Sequence, residues 1–157
     1  MSRLPDIGKS SDKIPYEHLP DLIAEYDQYL EQAEQHLEIK GKTIKQANME
    51  NPTWQSYFDQ KRIELRSVVK HFEREVERVH GKLYRKYKEN HSRELSDREI
   101  NQYIKNETAY LRMCAFLIEV DEIYKKFDSV VDTFRGRGYA LNNITKAIVA
   151  QVEDNIL

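Results

Sequence analysis

The chain has 157 residues, of which 39% are hydrophobic and 33% charged, and its formal net charge is −2 at pH 7. This length corresponds to one domain, or to one domain with an extension. No stretch approaches the roughly 20 apolar residues that cross a bilayer, and the N-terminus lacks the apolar core of a signal peptide. The single cysteine, Cys114, excludes an internal disulfide. The sequence predicts a soluble, intracellular protein without a membrane partner.

Opposite charges are separated along the chain. From Glu17 to Glu38 there are seven acidic residues and no Lys or Arg. From Lys61 to Lys88 ten basic residues stand against four acidic ones, a net charge of +6. The near-neutral total therefore hides an acidic segment and a basic segment.

Residues 1–15 contain two prolines, a glycine and three serines with little periodicity, which predicts a flexible leader. A first amphipathic helix is expected to begin around Pro20 or Asp21 and to end near Gly41. Asn51-Pro52 predicts the start of a second helix, because asparagine is a good N-cap and proline is tolerated at the first helical position. That helix is expected to run to Tyr87 or beyond.

Ser96 and Glu99 form a capping-box pattern that predicts the start of a third, longer helix. Gly136 or Gly138 is expected to end it, since glycine adopts the left-handed conformation that closes a helix C-terminus. A short C-terminal helix follows, with apolar residues at three- and four-residue spacing. The sequence thus predicts an all-α fold of long antiparallel amphipathic helices plus a short C-terminal helix. Helices with one-sided apolar stripes bury little surface within one chain, which favours self-association.

The predicted organisation has three parts: the flexible leader 1–15, a helical DNA-binding region 16–135, and a C-terminal oligomerisation helix 136–157. Enzyme motifs do not appear, since RGRG lacks the strand and the GKS/T pattern of a phosphate loop. The five histidines do not occur at zinc-binding spacing. We therefore predict a binding protein that is not an enzyme and uses no cofactor or metal.

The candidate binding site is the basic stretch RVHGKLYRKYKENHSR. Its cations neutralise phosphates and release counterions, while its tyrosines offer stacking surfaces for unpaired bases. The residues predicted to bind nucleic acid are Arg78, Lys82, Tyr84, Arg85, Lys86, Tyr87 and Lys88. The alternative is a solvated or internally paired helix face in a coiled-coil structural or adaptor protein that binds no nucleic acid. A membrane-surface helix is a third, weaker interpretation.

The C-terminal stretch FDSVVDTFRGRGYALNNI resembles the end of the UvsY-type recombination mediators of T-even-like bacteriophages. Those proteins close with a helix, a Ser-Arg-Gly-aromatic-Ala turn and a short terminal helix. The matching positions here are Asp132, Phe134, Arg135, Arg137, Gly138, Tyr139, Ala140 and Ile144. The family's basic motif resembles K-A-R-L-D-Y-Y. The nearest run here, HGKLYRKY, departs from it, with Lys82 in the arginine place and His80 in a lysine place.

The resemblance implies a protein that binds single-stranded DNA without strong sequence preference. It also implies a homo-oligomeric, hexamer- or heptamer-like ring closed through the C-terminal region. Such a mediator helps a phage RecA-like recombinase replace the phage single-strand-binding protein in recombination, repair and replication, in the cytoplasm of the infected bacterial host. The implied oligomerisation residues are Arg137, Gly138, Tyr139, Leu141, Ile144, Ile148 and Val152.

Overall fold

The computed structural model describes residues 18–91 and 93–154, and this part of the chain contains four helices and no strand. They are α1 (Leu19–Leu37), α2 (Ile44–Asn90), α3 (Asp97–Ile104) and α4 (Thr108–Asp154). The all-α prediction is confirmed. Among these helices, none combines the length and hydrophobicity that a membrane crossing requires. The predicted leader, residues 1–15, lies outside the described residues.

The chain forms two compact units. The first unit contains the residues up to Glu64 and those from Lys125 onward, so α1 packs there with the start of α2 and the end of α4. The second unit, Leu65–Tyr124, contains the rest of α2, all of α3 and the start of α4.

Aromatic side chains hold the first unit together. The ring of Phe58 on α2 stacks on Phe134 of α4 at 5.4 Å between centroids, and Tyr26 of α1 meets the edge of Phe127 at 5.5 Å. These pairs, with the Arg62–Asp128 ion pair, place α2 antiparallel to α4. The buried apolar residues of this unit are Leu19, Leu22, Tyr26, Ala33, Ala47, Phe58, Phe127, Val131, Phe134 and Leu141.

The prediction that the second helix starts at Asn51-Pro52 is wrong, because α2 already begins at Ile44. Thr43 caps this start, since its hydroxyl accepts from the Gln46 backbone N–H at 3.2 Å and Gln46 Oε1 accepts from the Thr43 N–H at 3.0 Å. The sequence TIKQ is therefore a capping box, and Pro52 lies inside the helix. Asn51 is buried and serves tertiary packing, with Nδ2 donating to the Phe134 carbonyl at 3.0 Å.

The third predicted helix does start with the Ser96–Glu99 capping box, but it is shorter than expected. α3 ends at Ile104, and α4 begins only at Thr108 after a turn closed by the Asn106 and Glu107 N–H groups. In the second unit α3 adds Leu95, Ile100 and Ile104 to a cluster with Leu83, Tyr84, Tyr87 and Tyr110. The other buried apolar residues of this unit are Leu65, Val68, Val69, Phe72, Met113, Val120 and Ile123.

The predicted helix end at Gly136 or Gly138 is also wrong, and the described residues contain no separate C-terminal helix because α4 is continuous to Asp154. Gly138 instead allows a close approach of α2. A Cβ atom there would lie 3.0 Å from Asn51 Nδ2. The buried Arg137 donates through Nη1 to the His36 carbonyl at 2.7 Å, which satisfies one of the last carbonyls of α1. The two residues thus join α4 to both neighbouring helices.

The two glycines offer a matched test of this close approach. Gly136→Ala should raise the free energy of unfolding by about 0.5–1 kcal/mol, because alanine is the better helix former and nothing lies within 4 Å of the added Cβ. Gly138→Ala should lose this gain, because the Asn51 amide is held by Phe134. Urea denaturation followed by circular dichroism, at equal protein concentration, measures both. Equal stabilisation by the two variants would contradict the packing role of Gly138.

Candidate nucleic-acid interface

The seven residues predicted to bind nucleic acid all lie near the C-terminal end of α2, within the second unit. Their side chains divide into two groups. Tyr84 and Tyr87 are half-buried and pack against the cluster around Leu95, Ile100 and Ile104. The five basic side chains are exposed.

Both tyrosines have their hydroxyl groups engaged within the second unit. Tyr84 donates to Asp97 Oδ1 and Tyr87 donates to Glu107 Oε1, each at 2.6 Å. These bonds raise the pKa of both phenols, because they favour the protonated hydroxyl. The Tyr87 ring also stacks on Tyr103 at 5.5 Å. The tyrosines therefore serve the packing of α3 and the turn before α4, while the stacking role suggested by the sequence stays a prediction.

The two acceptor carboxylates lie at the starts of helices, Asp97 at the first residue of α3 and Glu107 just before α4. The bond from Tyr84, and then the charge of Lys88, hold the pKa of Asp97 below its usual range. The bond from Tyr87, followed by the bond from Lys86, does the same for Glu107. Both acids remain ionised near neutral pH.

The predicted basic residues differ in how far their charge is neutralised. Lys86 pairs with Glu107 at 3.2 Å, Lys88 lies 3.7 Å from Asp97, and Arg78 binds both carboxylate oxygens of Glu75. Lys82 and Arg85 form no ion pair with any described residue. These two side chains are the cations of the predicted segment that are most available to an external anion.

The exposed basic side chains of α2 extend beyond the predicted segment. Arg66, Lys70 and Arg74 extend the series toward the N-terminal end of α2, so that basic residues occupy every fourth position from residue 66 to residue 86. All six members of this basic row are exposed, namely Arg66, Lys70, Arg74, Arg78, Lys82 and Lys86. The four-residue spacing was the available signal, because residues at i and i+4 are neighbours on a helix.

A row of like charges is unfavourable for the helix that carries it. Each like-charged i, i+4 pair costs an isolated helix about 0.2–0.5 kcal/mol. Glu73 and Glu77 lie beside the row and are exposed, but neither forms an ion pair with a basic residue in the described ranges. Helix stability alone therefore does not explain why the basic residues recur.

The residues predicted to mediate oligomerisation also separate into two groups. Arg137, Gly138 and Leu141 are used inside the first unit, against α1 and α2. Tyr139, Ile144, Ile148 and Val152 are exposed, with 68% of Tyr139 and 55% of Val152 accessible. Ile148 also lines an apolar groove of about 430 Å³ between the start of α2 and the end of α4. The other lining residues are Ile44, Lys45, Asn48, Met49, Thr145 and Val149.

In the described ranges, no group of three or more His, Cys, Asp or Glu side chains is arranged to hold a metal ion. Comparisons of the chain with protein-family models, with curated proteins and with solved structures found no match. Function must therefore be inferred from the two surfaces of the chain itself, one basic and one apolar.

The tyrosine bonds lead to a pH-dependent prediction. A carboxyl group with a lowered folded-state pKa stabilises the fold above its ordinary pKa, which is 3.8 for Asp97 and 4.5 for Glu107, and loses this contribution as pH falls through the lowered value. Replacing Tyr84 and Tyr87 by Phe should therefore lower the unfolding temperature at pH 7. The loss of stability below about pH 4.5 should be smaller in the variant than in the wild type.

Thermal unfolding between pH 7 and pH 3 measures this difference. Parallel acid profiles for the variant and the wild type would contradict the assignment of these hydroxyl–carboxylate bonds.

Proposed function

We propose that this protein is a recombination mediator that binds single-stranded DNA and helps a phage RecA-like recombinase replace a single-strand-binding protein. The observation that carries the binding proposal is the exposed cationic surface of α2, where Lys82 and Arg85 have no acidic partner among the described residues. The mediator role rests on the residue resemblance of the C-terminal stretch alone, since α4 runs through this stretch as a continuous helix without the family's turn. In this proposal the protein acts without catalysis or cofactor, in the cytoplasm of the infected host.

Counterion release explains how such a surface gains affinity. Each phosphate that a lysine or arginine neutralises frees a condensed cation, so affinity depends on the number of contacts and falls with salt. Contacts of this kind do not read sequence. A mediator needs this property, because it must act wherever single strands are exposed.

Self-association is the second part of the proposal. Ile144, Ile148 and Val152 form an exposed apolar face on α4, and we propose that copies of the chain bury it against one another in a hexamer- or heptamer-like ring. A ring presents many copies of the basic surface to one strand. The second and later contacts then form at high effective concentration, which converts weak single contacts into strong overall binding.

The alternative is a structural or adaptor protein without nucleic-acid binding. The observation in its favour is the pairing of Lys86 and Lys88 with Glu107 and Asp97, which uses part of the basic segment internally. It predicts no salt-sensitive affinity for oligonucleotides. Fluorescence anisotropy of a labelled single strand across a salt series separates the two proposals.

Lys82→Ala combined with Arg85→Ala should weaken single-strand binding and reduce the slope of log affinity against log salt by roughly 1.4, because about 0.7 is lost per phosphate contact. The matched control is Lys40→Ala with Lys105→Ala, which removes the same charge from exposed positions outside α2. Sedimentation should show an unchanged oligomer mass for both. An unaltered slope in the first variant would exclude these side chains from the interface.

Ile148→Lys with Val152→Lys should produce smaller species in analytical ultracentrifugation, because lysine charges cannot be buried unpaired between copies. Weaker single-strand affinity should accompany the smaller mass. The control is Ala147→Lys with Ala150→Lys, at exposed positions on the other side of the same turns. Undiminished mass in the first variant, or equal loss in both, would refute self-association through this face.

A further inference from the structure

The basic row has a regular geometry that the charge count alone does not convey. Its members lie four residues apart, so successive Cα atoms are separated by about 6 Å along the axis, and the six positions cover about 30 Å. Such i±4n rows are inclined by about 26° to the helix axis, which carries the row gradually around the helix. All six positions belong to the second unit, so the row lies within one compact body.

Most of the row is electrostatically unsatisfied. Arg78 and Lys86 have carboxylate partners in Glu75 and Glu107. The other four members, Arg66, Lys70, Arg74 and Lys82, have no acidic partner within ion-pair distance in residues 18–91 and 93–154. A linear polyanion laid along the row would relieve the repulsion between neighbours and gain a contact at each step.

The aromatic rings described near the row have partners within the second unit, including Tyr87, whose ring lies under Lys86 Nζ at 5.4 Å and stacks on Tyr103. Along this part of α2, Phe72 is fully buried and Tyr84 packs in the cluster with α3. The ring of His80 stacks on Tyr84, and the ring of His71 meets the edge of Phe72. The rings nearest the row are therefore engaged by neighbouring side chains, which favours contacts to phosphates over stacking of bases.

We propose that the basic row binds the phosphodiester backbone of a single nucleic-acid strand laid along α2, through successive phosphate contacts and without contacts to the bases. This inference rests on the proposed function. It adds where the strand lies, along the basic row, and which of its groups are bound, the phosphates. A flexible strand can follow a row that winds around the helix. A duplex, with a persistence length of about 150 base pairs, is too stiff to follow it and contacts fewer members.

Two glutamates beside the basic row affect its affinity for phosphates. Glu73 and Glu77 are exposed beside its first half and repel phosphates there. Their negative charge therefore lowers the affinity of the basic row for a nucleic-acid strand. Replacing both with glutamine removes the repulsion without adding a cation, and at 0.15 M salt it strengthens binding when the strand runs within about 8 Å of these positions.

The decisive variant is Arg66→Gln, Lys70→Gln and Arg74→Gln together, because these residues lie outside the segment that sequence reasoning selected. Glutamine keeps helix propensity. The control, Lys40→Gln, Arg98→Gln and Lys105→Gln, removes the same charge from exposed positions off the row. The probes are a labelled 30-nucleotide oligo-dT strand and an abasic deoxyribose-phosphate strand of equal length. Circular dichroism and sedimentation report fold and mass.

The wild type should bind both strands with affinities within about threefold. The row variant should lose at least about tenfold in affinity and about 2 in the salt slope, since three contacts of about 0.7 each are removed. The control should keep the wild-type slope. Glu73→Gln with Glu77→Gln should bind more tightly than the wild type, and this gain is independent of any loss caused by misfolding.

The outcomes distinguish failure of this inference from failure of the proposed function. Failure of the wild type to bind oligo-dT overturns the proposed function. If the wild type binds oligo-dT, an unchanged salt slope in the row variant refutes binding along the basic row. A glutamate variant that binds no more tightly than the wild type refutes it as well. Neither result contradicts DNA binding itself. Loss of more than about tenfold on the abasic strand overturns recognition through the backbone alone.

Discussion

The junction of α4 with α1 and α2 at Arg137 and Gly138 is the constraint on which the first unit depends. The guanidinium of Arg137 is buried and satisfies the end of α1 through the His36 carbonyl, and the bare backbone of Gly138 admits the Asn51 amide. A negative helix end is a favourable place for a buried cation. Because both contacts require helical geometry, α4 continues straight through the glycines. Its apolar stripe then extends beyond the buried Leu141 and becomes exposed at Ile148 and Val152. The proposed self-association face therefore arises because α4 continues beyond the two glycines instead of ending there.

In the second unit, one helix segment performs two tasks on different sides. Tyr84 and Tyr87 turn toward α3 and donate to carboxylates at the helix starts, while the basic row faces solvent. The carboxylates of Asp97 and Glu107 also neutralise Lys88 and Lys86. In the sequence this segment is a mixture of tyrosines and cations. The helical repeat places the tyrosines toward α3 and the cations toward solvent. The tyrosine side chains pack within the second unit, and the basic side chains are exposed.

Local signals in the sequence predicted the all-helical fold, the start of α1 and the Ser96–Glu99 capping box, because each depends on residues close in the chain. Errors arose where a residue type has both a local and a tertiary use. Glycine both ends helices and admits close neighbours, and asparagine both caps helices and bonds across them. Only the partner distinguishes the two, and for Asn51 the partner is Phe134, far away in sequence. For the candidate site, the sequence showed the cluster of cations but not the bonds of the tyrosine hydroxyls, since the acceptor carboxylates lie beyond the segment. Arg66, Lys70 and Arg74 were missed although their spacing was visible.

The order of the units along the chain has a consequence for biosynthesis. Leu65–Tyr124 is a contiguous stretch, whereas the first unit is built from two stretches separated by that whole segment. A ribosome completes the second unit before it has made any residue of the returning half of α4. Until then the aromatic side chains of α1 and early α2 lack Phe127 and Phe134 as partners. During synthesis, the aromatic side chains of α1 and early α2 therefore stay uncovered until residues beyond Tyr124 are present to pack against them.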